Sequence, residues 1–117
     1  MDDDIKKIMI CGSRSWNNDK KIRELIESLH ENTIVYHGGA YGADSIAEKY
    51  CHYNNIQTII IKPINPSNKL DYLFRNIEMI TLTTDGIYAF WDGKSKGTKF
   101  VIDYATSRNK KVVLCKD

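Results

Sequence analysis

The sequence predicts an α/β fold, a doubly wound three-layer sandwich of about five mostly parallel strands in the order 3-2-1-4-5. Three observations predict it. Short apolar, β-branched runs alternate with amphipathic segments from one end to the other. Glycine-bearing turns follow several of those runs directly. No repeat, low-complexity tract or linker interrupts the alternation. Strands separated by single helices build βαβ units, and right-handed crossovers then wind the sheet outward in both directions from its centre.

Ile5 to Cys11 is an apolar run closed by Gly12 and reads as a buried strand. Asp19 to His30 carries Ile22, Leu25, Ile26 and Leu29 at i, i+3, i+4 and i+7, an amphipathic helix with Asp19 as its expected cap. Thr33 to Tyr36 is the second strand. Ala43 to Asn54 is the second helix, with Ile46, Ala47, Tyr50 and Tyr53 on one face. Thr58 to Ile61 is a strongly β-branched third strand. After an irregular connection holding Pro63 and Pro66, Leu70, Leu73, Phe74 and Ile77 give a third helix that closes around Thr81. Gly86 to Trp91 is the fourth strand, Thr98 to Arg108 the fourth helix and Lys111 to Cys115 the fifth strand.

The 117 residues amount to one domain, 1–117, whose 42% apolar and 27% charged composition is that of a globular protein. Seventeen basic against fifteen acidic side chains leave a net charge of +2, without the basic excess of a dedicated duplex-DNA binder. A small anionic ligand needs only two or three local cations. Cys11, Cys51 and Cys115 are widely spaced and show no CxxC or Cys/His pattern. Reduced thiols in a cytoplasmic protein, no metal and no cofactor are therefore expected. The acidic start, Met1-Asp2-Asp3-Asp4, has no leader pattern, and Ile59-Ile60-Ile61 is too short to cross a bilayer, so no membrane association is expected.

In open α/β sheets ligands bind beyond the carboxyl ends of the strands, where the strand order reverses. Three loops would converge there: Gly12-Ser13-Arg14-Ser15-Trp16, then Gly38-Gly39-Ala40-Tyr41-Gly42-Ala43-Asp44, then Trp91-Asp92-Gly93-Lys94-Ser95-Lys96-Gly97-Thr98. Gly38, Gly39 and Gly42 leave backbone N–H groups free to turn toward a phosphate ahead of a helix N-terminus. Gly97 and Thr98 repeat the device, the Thr98 hydroxyl adding a donor. Arg14 offers a cation, Trp16 a flat face for a base, and Asp44 an acceptor for ribose hydroxyls. Each has a structural counterpart. Glycines also serve close helix–strand packing, Trp16 and Trp91 also fit core positions, and Asp44 also suits a first helical turn. His37 reads as closing its strand and not as a base, and His30 and His52 as surface residues. Gly93-Lys94-Ser95 resembles the end of a P-loop, but its spacing from Gly86 is wrong, and no dinucleotide fingerprint is present.

These motifs, with Arg75-Asn76-Ile77-Glu78-Met79, resemble the SLOG superfamily in their order, and within it the small YspA-like branch. The resemblance implies a Rossmann-like fold and a nucleotide or nucleotide-derived, ADP-ribose-type ligand. It implies contacts at Gly12, Ser13, Arg14, Gly38, Gly39, Gly42, Asp44, Arg75, Ser95, Gly97 and Thr98; Trp16, Asn76, Trp91 and Asp92 of the same motifs complete the expected site. The superfamily includes LOG phosphoribohydrolases, which cleave the N-glycosidic bond of nucleoside monophosphates, DprA, which binds single-stranded DNA, and sensor domains of antiviral systems. LOG enzymes follow their glycine–threonine loop closely with a catalytic Glu. Here Lys99, Phe100, Val101 and Ile102 follow Thr98, and the first carboxylate is Asp103.

Three functions follow from that pattern. The first is a binding module for a nucleotide-derived ligand, a sensor or scavenger; separately, the exposed sheet edges of a single domain make a homodimer or higher homo-oligomer an expected assembly. The second is an N-glycosidic hydrolase or transferase, with Arg75 placing phosphate and Asp44 or Asp92 as the acid. The third is single-stranded nucleic-acid binding through Arg14, Trp16 and the lysines between 94 and 99, which the near-neutral charge disfavours.

Overall fold

The computed structural model describes residues 4–117; the acidic Met1-Asp2-Asp3 stretch lies outside them. The elements run β1 (Lys6–Gly12), α1 (Asp19–Glu27), β2 (Thr33–His37), α2 (Ala43–Tyr53), β3 (Gln57–Ile60), α3 (Lys69–Leu82), β4 (Ile87–Trp91), α4 (Lys96–Ser107) and β5 (Val112–Lys116). All five strands are parallel, in the order β3-β2-β1-β4-β5. The expected doubly wound, Rossmann-like sandwich is the observed one.

Successive residues of β1 point to opposite faces, and each face has its own core. Ile8 and Ile10 pack with Val35, Phe90 and Trp16 beneath α1 and α2, through Ile22, Ile26, Ala47 and Cys51. Met9 and Cys11 pack with Tyr36, Ile87 and Ala89 beneath α3 and α4, through Met79, Ile80, Val101 and Ala105. The central strand is thus covered on both sides, as a parallel sheet requires.

Local assignments differ from expectation in three places. Asp19 does not cap α1. Asn18 takes that position without a side-chain bond, and Asp19 instead accepts from the Tyr50 hydroxyl at 3.2 Å. On α2 the buried side is Ala43, Asp44, Ala47 and Cys51, while Tyr53 is exposed. Small side chains let this helix lie close to β1: a Cβ at Gly12 would stand 2.6 Å from that of Ala43. On α3 the buried residues are Asn76, Met79 and Ile80, and Leu70 and Phe74 face outward. Only the second half of α3 lies on the sheet, and the turns around Tyr72 and Arg75 border the crevice at the strand ends.

Candidate functional site

A crevice of about 500 Å³ opens at the carboxyl ends of β2, β1 and β4, at the reversal of strand order. It is lined by Gly12, Ser13, Arg14, Gly38, Asp44, Arg75, Asn76, Asp92, Ser95, Gly97 and Thr98 among the residues the sequence singled out. The structure leaves Trp16, Gly39, Gly42 and Trp91 out of that lining.

Both tryptophans are structural. Trp16 is buried, edge-on to Phe90 at 5.4 Å, and its indole N–H donates to the Asn18 carbonyl. It offers no flat face to a base. Trp91 donates its indole N–H to the Ser95 carbonyl at 2.9 Å and so braces the loop entering α4.

The loop after β2 departs most from expectation, because the amides of Gly38, Gly39 and Ala40 are already taken. Gly38 and Ala40 both donate N–H to Oδ2 of Asp44, at 3.1 and 3.2 Å. Gly39 donates to Nδ1 of His37 at 3.0 Å. A backbone concavity of this kind attracts anions, and this chain fills it with its own carboxylate. The glycines here serve close packing. Gly42 has φ +78°, and a Cβ on it would meet the Ser13 carbonyl oxygen at 2.4 Å. A Cβ on Gly38 would meet the Arg75 guanidinium at 2.4 Å.

His37 accepts from Gly39 at Nδ1, so its proton sits on Nε2 and is donated to Glu48 at 2.7 Å. That bond is the main reason the Glu48 carboxyl lies below its ordinary range. His37 therefore closes the strand with both ring nitrogens engaged inside the chain.

Arg75 spans the crevice wall. Its Nη1 donates to the carbonyls of Gly38 and Ile61 at 3.0 and 3.2 Å, its Nε donates to Oδ1 of Asn76, and its guanidinium lies over the Tyr72 ring. Beside it Asp44 is buried. Desolvation raises its pKa despite the opposing effects of His37, its two amide donors and Arg75. Its Oδ1 is buried and has no hydrogen-bond partner among the described residues.

The loop after β4 is the open counterpart. Oδ1 of Asp92 accepts the N–H groups of Lys94 and Ser95, both at 2.8 Å, and Oδ2 accepts the Ser15 hydroxyl at 3.2 Å. Those backbone bonds hold the exposed Asp92 carboxyl down at about 2. Asp92, an acid candidate in the sequence reading, lines the crevice here and braces this turn. The Asp92 N–H donates to Oγ of Ser13 at 3.0 Å, which ties this loop to the one after β1. Ser95 caps α4, its Oγ lying 3.5 Å from the Thr98 nitrogen and 3.3 Å from the Thr98 hydroxyl. The N–H groups of Lys96 and Gly97, which begin α4, find no partner among the described residues.

The sequence pattern of the YspA, cpYpsA-related SLOG family matches residues 6–64, which span the first two of these loops. The chain belongs to that SLOG family. It is 30% identical over 107 residues to the Gene 61 protein of Mycobacterium phage D29, covering 81% of this chain and 84% of that protein. Among solved structures it superposes on DNA processing protein A (DprA) from Streptococcus pneumoniae with a TM-score of 0.83 at 17% identity. That match covers 94% of this chain and 50% of DprA, so the chain spans half the length of that relative. It also superposes on TM1055, a structural-genomics target, with a TM-score of 0.65 at 18% identity, over 92% of this chain and 72% of the other. At these identities the structural matches speak for the fold.

Within this SLOG site, sequence reasoning missed Cys11, Ser15, Ala40, Tyr72, Met79 and Val101. Cys11, Met79 and Val101 form an apolar floor, and burial pushes the Cys11 thiol far up, leaving it inert. Tyr72 lies one helical turn before Arg75, and that i, i+3 aromatic–arginine spacing is the signal that could have found it. Asp103 is exposed and pairs with Lys99 at 2.6 Å on α4, so it does not replace the Glu missing after Thr98. Among the described residues no group of His, Cys, Asp or Glu is placed to hold a metal ion, and no helix is long and apolar enough to cross a membrane.

Proposed function

We propose that the crevice binds a nucleotide or nucleotide-derived ligand of the ADP-ribose type, as the sensor or scavenger of such a signal. One observation carries the reading: the start of α4 brings the unpartnered N–H group of Gly97 and the Thr98 hydroxyl together in a crevice that Arg14 also lines. A helix N-terminus with free donors and a nearby cation suits a phosphate or diphosphate. The crevice volume of about 500 Å³ lies within the ordinary range for small-molecule sites. The working setting is the cytoplasm, where Cys11, Cys51 and Cys115 stay free thiols. A homo-oligomer remains part of the proposal and rests on the two sheet edges, β3 and β5.

N-glycosidic cleavage is the second reading, and Asp44 is the observation that favours it. A buried carboxyl with a raised pKa in a ligand crevice has the properties of a general acid. Single-strand binding loses its stacking platform with the burial of Trp16.

The test is incubation of the protein with AMP, NAD and ADP-ribose, followed by desalting, denaturation and mass analysis. Intact nucleotide retained at one per chain is the expected result. Free base in the filtrate would establish the hydrolytic reading. No retention and no cleavage would overturn both.

A further inference from the structure

The crevice has two unlike ends. At the α4 end lie the unpartnered Gly97 N–H and the Thr98 hydroxyl; at the α2 end lies Asp44, with the Arg75 guanidinium nearby. Asp44 is 7% exposed, and its two oxygens are in different situations. Oδ2 accepts two backbone N–H groups, whereas Oδ1 is buried with no partner among the described residues. Buried carboxylate oxygens are normally bonded, so an orphan in the wall of a ligand crevice marks a bond to be made by what enters.

The chemistry of that bond is restricted. A phosphate oxygen set against a carboxylate would be repelled. Oδ1 of Asp44 therefore does not take the charged part of the ligand, which is left to the unpartnered N–H at the start of α4. A hydroxyl can donate to Oδ1 when Asp44 is ionised and accept from it when Asp44 is protonated. Burial shifts Asp44 toward the protonated form, so a partner that serves both states fits this position best.

Building on the nucleotide reading above, we propose that Asp44 is the specificity-determining residue of the crevice, its Oδ1 bonding a ribose hydroxyl while the ligand's phosphate sits at the start of α4. The site then selects ribo- over deoxyribo-ligands. It does so because a deoxy sugar leaves Oδ1 unpaired, and an unpaired buried polar group costs more than a lost contact.

Calorimetry of the wild type with ADP-ribose, AMP and the 2′-deoxy and 3′-deoxy counterparts of each tests this. Removing the hydroxyl that meets Asp44 is expected to weaken binding about 10- to 100-fold for at least one of the two positions. In Asp44→Ala the ribo and deoxy ligands should bind within about twofold of one another, with inorganic pyrophosphate binding retained. Equal binding of ribo and deoxy ligands by the wild type would overturn this assignment and leave the nucleotide reading standing. Failure of the wild type to bind any of them would remove both. Asp44 also anchors the Gly38 and Ala40 amides, so Asp44→Ala is read only when circular dichroism shows it folded. If it does not, a crystal structure of the wild type with its tightest ribo-ligand decides. A sugar hydroxyl on Oδ1 supports the assignment; a phosphate or base there overturns it.

Discussion

Two glycine-bearing loops, 38–42 after β2 and 93–97 after β4, each lead a helix N-terminus to the same crevice. In the first, the amides of Gly38, Gly39 and Ala40 are consumed by Asp44 and His37. In the second, Asp92 takes the amides of Lys94 and Ser95 only, and those of Lys96 and Gly97 remain open. Glycines supply the freedom to present N–H groups, but the nearest acceptor decides whether a ligand or the chain itself receives them. The first loop is a built wall and the second a receiving surface.

The sharpest way to break this contrast is to add one methyl group to each loop. Gly42→Ala forces a side chain into positive φ and against the Ser13 carbonyl, and should destabilise the fold by about 2–4 kcal/mol in urea titration. Gly97→Ala meets nothing within 4 Å and lies in the first turn of α4. It should unfold no more easily than the wild type and gain up to about 1 kcal/mol from helix propensity. Equal losses in the two variants would erase the distinction.

A pair of arginines sharpens it next. Arg75→Ala removes donors from the Gly38 and Ile61 carbonyls and should cost about 1–3 kcal/mol of stability as well as affinity. Arg14→Ala alters an exposed side chain and should weaken nucleotide binding about tenfold while the melting temperature holds. A drop in melting temperature for Arg14→Ala alone would place the wall at the wrong loop.

The two acids should also separate by pH. Asp92 has a folded pKa of about 2, below its ordinary 3.8. It therefore stabilises the fold above pH 3.8, and that contribution is lost as the pH falls toward 2; Asp92→Asn should remove this acid-limb dependence. Asp44 is shifted the opposite way, so its ionisation opposes folding. Stability of the wild type relative to Asp44→Asn should decline as pH rises above 3.8. Chemical denaturation of both variants across pH checks each sign. The smallest effect belongs to Thr98→Val, which deletes one crevice hydroxyl at nearly constant volume and should weaken nucleotide binding by about three- to tenfold.

Much of the fold was legible because its signals are periodic. The alternation of Ile8, Met9 and Ile10 across two faces, and the single helices between strands, leave little choice but a parallel sheet covered on both sides. Periodicity was less able to say which side of a helix packs. Leu70 and Phe74 share a face of α3, yet the sheet lies under Met79 and Ile80, because only the second half of that helix reaches it. On α2 the large side chains drew attention, whereas closeness to β1 selects Ala43 and Ala47. In the site, the loops and most lining residues followed from the strand ends. The donor–acceptor pairing did not. Nothing in the spacing of Gly38 and Ala40 says that a carboxylate at 44 will turn back onto their amides, or that its other oxygen will be left unpaired.

The most direct measurement is a titration of the ¹⁵N-labelled protein with inorganic pyrophosphate, followed through its amide resonances. Lys96 and Gly97 are expected to shift with saturable binding while Gly38, Gly39 and Ala40 hold still, because the first pair is open and the second set occupied. Saturable shifts at residues 38–40 with residues 96 and 97 unmoved would contradict that expectation, and would return the phosphate to the loop after β2.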